Sequence, residues 1–180
     1  RDLLAAGHRQ VGAYRYAQDP DFQILLLGYA NENSDTPRVL DLTSWPDTKH
    51  FLREQLPWLL DDSYTKRAHN AAFEWWCLSR AMGLSWEQRV LWLQQWECSM
   101  VHALYCGLPA QLGALGAALK QPEDALKMKE GKALIAYFCK PCKPTKRNGG
   151  RTRNLPQHDP DKWRLFCKYN GMDVIAEAGK

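Results

Sequence analysis

Two short segments of the sequence each place a carboxylate four residues after another polar side chain: Asn70 precedes Glu74, and Tyr169 precedes Asp173. On a helix, residues at i and i+4 share a face, so each segment directs both of its polar groups towards one point. Carboxylates bind Mg²⁺ or Mn²⁺, and paired ions of this kind catalyse phosphodiester hydrolysis while a phenol orients the attacking water. Such spacings also arise by chance. For Asn70 and Glu74, the commoner explanation is an Asn that caps a helix and a Glu that is exposed to solvent.

A group of basic side chains lies between the two segments. Residues 140–156, here called the basic loop, contain six Lys and Arg and no acidic residue. The whole chain has 24 Lys plus Arg and 20 Asp plus Glu, so the part outside this loop carries a small net negative charge. This distribution favours contact with a polyanion, and a solvated loop with incidental basic residues is the alternative. The candidate phosphate contacts are Lys143, Lys146, Arg147, Arg151 and Arg153.

The sequence also predicts the strands that must position these groups. Residues 22–30 are a continuous apolar run, typical of a strand covered on both faces. Residues 38–42 alternate like a second strand, paired with the first across a polar turn. Residues 65–69 and 96–98 are shorter strand candidates. Because mostly helical segments follow, we expect an α/β or α+β domain with a small mixed sheet flanked by helices.

Capping and termination signals mark the central helices. Asn70 can cap a helix that runs through Met82 and ends at Gly83. Ser85 and Gln88 have the spacing of a capping box, in which each side chain bonds to the backbone of the other residue. The sequence therefore predicts two consecutive helices, the first of which carries Glu74.

The last helix begins at Asp159 and Pro160, a capping residue followed by a first-turn proline, and it carries Tyr169 and Asp173. Prolines and an Asn-Gly-Gly sequence make the basic loop an extended connection, and long ordered loops tend to be functional. Further helices are predicted over residues 46–55, 99–106, 111–119 and 123–138.

Length and composition are those of one globular domain of 180 residues, and the hydrophobic share of 45% excludes a wholly disordered chain. The sequence has no apolar run long enough for a membrane helix and no secretion signal, which favours reduced cysteines. Because the chain begins with Arg1 rather than Met, we expect it to start inside a longer gene product.

Two local features have competing interpretations. The pair Cys139 and Cys142 has zinc-ligand spacing, with His158 and Cys167 as completing ligands, but a single such pair fits two loop thiols better. The Trp75–Trp76 pair offers rings on which unpaired bases can stack, although helix periodicity directs at least one of them into the core.

Taken in order along the chain, these segments resemble the 3′-to-5′ exonuclease (DnaQ-like, DEDD) domain of DNA polymerases, and in particular the family A, DNA polymerase I-like enzymes of bacteriophages and prophages. The resemblance covers essentially the whole chain. The second exonuclease motif is similar to residues 69–74 (HNAAFE), and the third motif, in its tyrosine-bearing form, to residues 169–173 (YNGMD). The other similar segments are 11–17 (VGAYRYA), 19–22 (DPDF), 127–135 (KMKEGKALI), 141–146 (PCKPTK) and 148–154 (NGGRTRN).

The resemblance implies an RNase H-like fold and two-metal hydrolysis, with Mg²⁺ or Mn²⁺ as the cofactor. It makes Asp173 a metal-binding carboxylate, makes Tyr169 the residue that positions the nucleophilic water, and sets Asn70 and Glu74 beside the metals and the scissile phosphate. The implied partners are the single-stranded 3′ end of a DNA primer and a C-terminal polymerase domain of the same polypeptide. The implied location is the cytoplasm of a bacterium that carries the phage or prophage, without membrane attachment.

The sequence departs from that family at two places. Glu74 stands where Asp is usual and adds a methylene, and no Asp-x-Glu, the first motif of the family, occurs near residues 1–20. We therefore expect residues 1–180 to be an N-terminally truncated exonuclease domain that lacks its first strand, and we expect this chain alone to hydrolyse DNA poorly or not at all. The alternatives are a non-catalytic nucleic-acid-binding relative and a stand-alone exonuclease.

Overall fold

The computed structural model describes residues 12–32, 34, 36–121 and 130–178, and within these residues it contains eight α-helices and four short strands. The strands are β1 (Leu26–Tyr29), β2 (Arg38–Asp41), β3 (Lys66–Ala68) and β4 (Trp96–Cys98). The helices are α1 (Ala13–Ala17), α2 (Thr48–Gln55), α3 (Ala71–Ala81), α4 (Trp86–Leu93), α5 (Ser99–Tyr105), α6 (Leu112–Ala118), α7 (Gly131–Cys139) and α8 (Pro160–Ala178). The predicted start of α7, residues 123–129, lies outside the described residues, as does Val11 of the first similar segment.

The strands form two separate two-stranded sheets. β1 and β2 pair with each other, as predicted, and the pairing is antiparallel, with Leu26 opposite Asp41. β3 and β4 pair parallel, with Lys66 opposite Trp96, and α3 and α4 supply the crossover that a parallel pair requires. The prediction of one mixed sheet is wrong for the described residues, because no described strand lies between the two pairs to join their hydrogen-bond ladders.

Local signals explain the starts of α4 and α8 and the end of α3. The predicted capping box is confirmed, since the Ser85 N–H donates to Oε1 of Gln88 at 2.9 Å and the Gln88 N–H donates to Oγ of Ser85 at 3.3 Å. At the start of α8, Oδ1 of Asp159 accepts from the Lys162 N–H at 3.1 Å, as predicted. α3 ends before Gly83, whose φ of +63° is the left-handed conformation that glycine tolerates best.

The prediction that the Asn70 side chain caps α3 is wrong. Asn70 occupies the capping position, but its backbone is left-handed, with φ 66° and ψ 46°, and its side chain accepts no capping hydrogen bond. A capping side chain needs an extended backbone to reach the first free N–H groups of a helix. The tight turn from β3 into α3 therefore uses Asn70 for its tolerance of positive φ.

Two apolar clusters form the core of the described residues. The first lies among α2, α3 and α4, where Leu52 and Met82 are fully buried. The second packs α7 against α8 around Phe138, whose ring centroid lies 4.9 Å from that of Trp163 and 5.4 Å from that of Phe166. In the part of the chain that the structure describes, no helix has both the length and the apolar character required to cross a bilayer.

α8 connects the second cluster to the β1–β2 sheet. It crosses β1 at Gly28, where a Cβ atom would lie only 2.4 Å from Oδ1 of Asn170, so that a larger residue would separate helix and strand. Near the start of the helix, the indole N–H of Trp163 donates to Oδ2 of Asp41 at 2.8 Å. These contacts fix the position of the helix that carries Tyr169 and Asp173.

Candidate active site

Tyr169 is held in the second core cluster by a close contact with the first residue of α7. Its side chain is 3% exposed, and its ring lies parallel to that of Phe166 with centroids 6.4 Å apart. Gly131 faces this ring so closely that a Cβ atom there would lie 2.1 Å from Cε2 of Tyr169. A glycine at the start of α7 is therefore part of what positions the tyrosine.

The Tyr169 hydroxyl and the Asp173 carboxylate interact, as their i, i+4 spacing predicts. Burial raises the pKa of the Tyr169 phenol well above its ordinary value, and a hydrogen bond to Asp173 and the charge of Asp173 raise it further. The phenol is therefore neutral throughout the physiological pH range and lies beside the Asp173 carboxylate.

Glu74 lies on α3 in a partly buried position, with Oε2 shielded from solvent and without a hydrogen-bond partner in the described part of the structure. Burial raises the pKa of Glu74 to about 7; a hydrogen bond from its own backbone N–H lowers it, and the nearby charge of Glu177 raises it. A carboxylate whose charged form is this costly is suited to bind a cation or a proton.

Glu177 is a candidate that the sequence analysis missed. It lies on α8, four residues after Asp173 and eight after Tyr169, and it interacts electrostatically with Glu74 on α3. The i, i+4, i+8 repeat of Tyr169, Asp173 and Glu177 was the signal that could have found it. Through this residue, the end of α8 faces the acidic residue of α3.

The described residues do not bring a complete metal site together. Among them, no group of three or more His, Cys, Asp or Glu residues is arranged to hold a metal ion. Asp173 on α8 and Glu74 on α3 offer carboxylate oxygens that could bind a metal, and their role as metal ligands stays a prediction.

Asn70 is exposed at the end of β3, and its backbone carbonyl accepts from the Phe73 N–H at 2.8 Å. The adjacent His69 is structural: Nε2 lies 2.7 Å from the Ala110 carbonyl and Nδ1 lies 3.1 Å from Oγ of Ser99. Because a carbonyl only accepts, Nε2 carries the proton and Nδ1 accepts from Ser99. This pairing leaves His69 no nitrogen for a metal.

The basic loop is an ordered structure with its own hydrogen bonds. Thr145 and Asn148 cap each other, and the Asn148 side-chain amide donates to the Lys143 carbonyl at 2.8 Å. Asn154, which is 7% exposed, donates to the Tyr137 carbonyl at 2.9 Å and so ties the loop to α7. The backbone of the loop is therefore positioned by buried and paired amides.

The five predicted phosphate contacts differ in their surroundings. The side chains of Lys143, Lys146 and Arg147 are exposed, and that of Arg153 is partly buried. Arg151 has an internal role, because its Nε donates to Oδ1 of Asn154 at 2.9 Å. The exposed residues present the positive charge of the loop to solvent, and their contact with DNA stays a prediction.

The zinc interpretation gains no support from the contacts of its proposed ligands. Sγ of Cys142 donates to the Arg151 carbonyl at 3.4 Å, and Nδ1 of His158 accepts from the Leu155 N–H at 2.8 Å. Of the two tryptophans, Trp75 is buried and its indole N–H donates to the Arg89 carbonyl at 3.2 Å, which confirms that at least one of the pair faces the core.

The chain is similar to a DNA polymerase of Bacillus phage SP02: the two are 44% identical over 176 residues, which is 98% of this chain and 25% of that polymerase. This chain is homologous to part of a phage DNA polymerase. It spans about a quarter of the length of that relative. No protein-family model matches the chain, and no solved structure matches it.

The similarity confirms the predicted relationship to phage DNA polymerases. It does not distinguish an exonuclease domain from another part of such an enzyme.

Proposed function

We propose that the chain is the 3′-to-5′ exonuclease domain of a phage-type family A DNA polymerase and removes mismatched nucleotides from a primer 3′ end. The observation that carries this proposal is the interaction of the buried Tyr169 hydroxyl with Asp173 on α8. The identity of 44% with a phage DNA polymerase and the exposed cations of the basic loop support it.

A neutral phenol beside a carboxylate is suited to orient water. The Tyr169 hydroxyl lies beside the Asp173 carboxylate, and a phenol oxygen can accept a hydrogen bond from a water molecule. Because the pKa of the phenol is raised, Tyr169 holds the water without removing its proton. Positioning a nucleophile in this way lowers the barrier mainly by orientation.

Asp173 and Glu74 have the type of side chain that binds a divalent cation, because Mg²⁺ is usually held by one or two carboxylates together with substrate phosphate. The shielded Oε2 of Glu74 is an acceptor that a cation would satisfy. When bound there, the metal would supply charge stabilisation at the scissile phosphate. Since no three such groups among the described residues are arranged to hold a metal ion, we expect weak metal binding and little hydrolysis by this chain alone.

An exchange into the related polymerase tests the proposal. In the experiment, the 176-residue segment of the Bacillus phage SP02 polymerase that matches this chain is replaced by this chain. Polymerisation by the exchanged enzyme then shows that it has folded. We expect the exchanged enzyme to release a labelled, mismatched 3′-terminal nucleotide in Mg²⁺ or Mn²⁺. Asp173→Asn and Tyr169→Phe should each slow this release by about 100-fold or more, because each removes a group that acts on the reacting atoms.

Tyr105→Phe is the matched control, because Tyr105 is 94% exposed on α5, outside the predicted site residues. It should leave nucleotide release and polymerisation unchanged. An exchanged enzyme that polymerises but releases no terminal nucleotide would contradict the proposal.

A non-catalytic nucleic-acid-binding module is the second candidate. It is favoured by the absence of Asp-x-Glu from the 180-residue sequence and by the incomplete ligand set of the described residues. In the same exchange it predicts normal polymerisation, no nucleotide release, and DNA binding that depends on the basic loop.

A further inference from the structure

We propose that a second surface of this chain, on the side of α3 opposite Glu74, binds unpaired DNA bases by stacking. The surface, here called the aromatic platform, consists of Tyr14, Trp76, Trp86 and Arg89, which together with Gln18 line an open cleft of about 450 Å³. That volume lies within the range of clefts that bind small planar ligands. The platform brings together α1, α3 and α4.

The rings of the platform are oriented for stacking. Trp76 and Trp86 are inclined by only 27° with centroids 6.4 Å apart, and Tyr14 meets Trp76 edge-on at 4.7 Å. Trp86 is 60% exposed and Tyr14 is 53% exposed, so about half or more of each side chain is open to solvent. Exposed aromatic faces bind successive bases of a single strand without regard to sequence, because every base has a π-face.

Positive charge accompanies these rings. The Arg89 guanidinium carbon lies 5.7 Å from the centre of the Trp76 ring, and Nε of Arg89 donates to the Leu84 carbonyl at 3.1 Å, which holds it there. Arg80, one turn after Trp76 on α3, and Arg15, next to Tyr14 on α1, are also exposed. A negatively charged strand with unpaired bases matches this combination better than an apolar protein segment does.

The platform is separate from the candidate active site in its residues and in its chemistry. The choice of DNA as ligand rests on the proposed function, but stacking needs neither Glu74 nor Asp173. Binding in EDTA, where no metal-dependent hydrolysis takes place, therefore tests the platform independently of nuclease activity.

The test compares two fluorescent oligonucleotides of equal length and charge, a 15-mer of thymidine and an abasic 15-mer, titrated with the 180-residue chain in EDTA. We expect tighter binding of the thymidine oligonucleotide. Trp86→Ala and Tyr14→Ala should each weaken that binding by roughly 5- to 150-fold, the range found when a stacking residue is removed. Neither substitution should change binding of the abasic strand, because phosphate contacts persist.

Two further variants separate stacking from folding. Trp86→Tyr keeps an aromatic ring and should retain most of the affinity, whereas Tyr105→Ala removes an exposed ring on α5 and should have no effect. Equal affinity of the wild-type chain for the two oligonucleotides would overturn the proposal. Unchanged affinity in both platform variants would also overturn it and would favour a protein partner for this surface.

Discussion

At the scale of single residues, Glu74 has surroundings unlike those of a surface carboxylate. Its Oε2 is shielded from solvent, Glu177 repels its charge, and its pKa is raised to about 7. A carboxyl group whose pKa is higher in the folded state than in the unfolded state binds its proton more tightly when the chain is folded. Raising the pH from about 4.5, its ordinary pKa, to about 7 therefore lowers the free energy of unfolding.

The first prediction concerns this pH dependence. In EDTA, the free energy of unfolding of the wild-type chain should fall between pH 4.5 and pH 7 because of Glu74, by an amount on the order of 3 kcal/mol. Glu74→Gln should remove most of this fall, since an amide does not titrate. Urea unfolding followed by circular dichroism at several pH values measures it.

Two matched variants sharpen the result. Glu54→Gln changes an exposed carboxylate on α2 and should leave the fall in place. Burial is the main cause of the raised pKa of Glu74, and Glu177→Gln removes the smaller contribution of a nearby charge, so the fall should end at a slightly lower pH. If Glu74→Gln and wild type kept the same pH profile, Glu74 would not be the titrating group.

At the scale of secondary-structure elements, the position of Tyr169 depends on how closely α7 approaches α8. The approach occurs at Gly131, where the tyrosine ring occupies the space of a side chain. Alanine is favoured over glycine in helices by roughly 1 kcal/mol, so any loss of stability on substitution must come from the contact with the ring. The contact is thus separable from helix propensity.

We predict that Gly131→Ala destabilises the chain by about 1–3 kcal/mol, because its Cβ would lie 2.1 Å from Cε2 of a ring that is 3% exposed. Gly113→Ala on α6 is the matched control: a Cβ there meets nothing within 4 Å, and the substitution should be neutral or slightly stabilising. Urea unfolding gives both values. Equal effects of the two substitutions would refute the proposed packing of Tyr169.

At the scale of the whole molecule, charge is distributed unevenly. The basic loop holds six Lys and Arg and no acidic residue, while the rest of the chain is slightly acidic. The loop backbone is fixed by the Asn148 and Asn154 amides, so its exposed cations are held in defined positions. Arg151 takes part in the hydrogen bonds that fix the loop, because its Nε donates to Oδ1 of Asn154. Its substitution would therefore remove both a structural hydrogen bond and a positive charge.

The prediction at this scale therefore uses Lys143, Lys146 and Arg147, which are exposed. Replacing all three with Gln should weaken binding to single-stranded DNA and flatten its salt dependence by about 2 in the slope of log K against log salt, roughly 0.7 for each lost phosphate contact. Fluorescence anisotropy at several salt concentrations measures the slope.

The control for this prediction changes the same net charge elsewhere. Lys49, Lys132 and Lys168 are exposed on α2, α7 and α8, and their replacement with Gln should leave the slope nearly unchanged. A similar change of slope in both triple variants would mean that overall charge, and not the basic loop, governs binding.

The sequence by itself determined the features that depend on near neighbours. The Ser85–Gln88 capping box, the Asp159 cap and the contact of Tyr169 with Asp173 were all predictable, because each joins residues within one helical turn. The antiparallel pairing of β1 with β2 was predictable too, since a short polar turn connects two apolar strands.

Only the tertiary structure decided the features that join distant parts of the chain. The separation of the strands into two sheets, the approach of Glu177 to Glu74, and the packing of Tyr169 on Gly131 each involve different elements. So does the aromatic platform, whose rings come from three helices. Periodicity assigns a side chain to a face of its own helix, but the packing of the helices determines which residues that face meets.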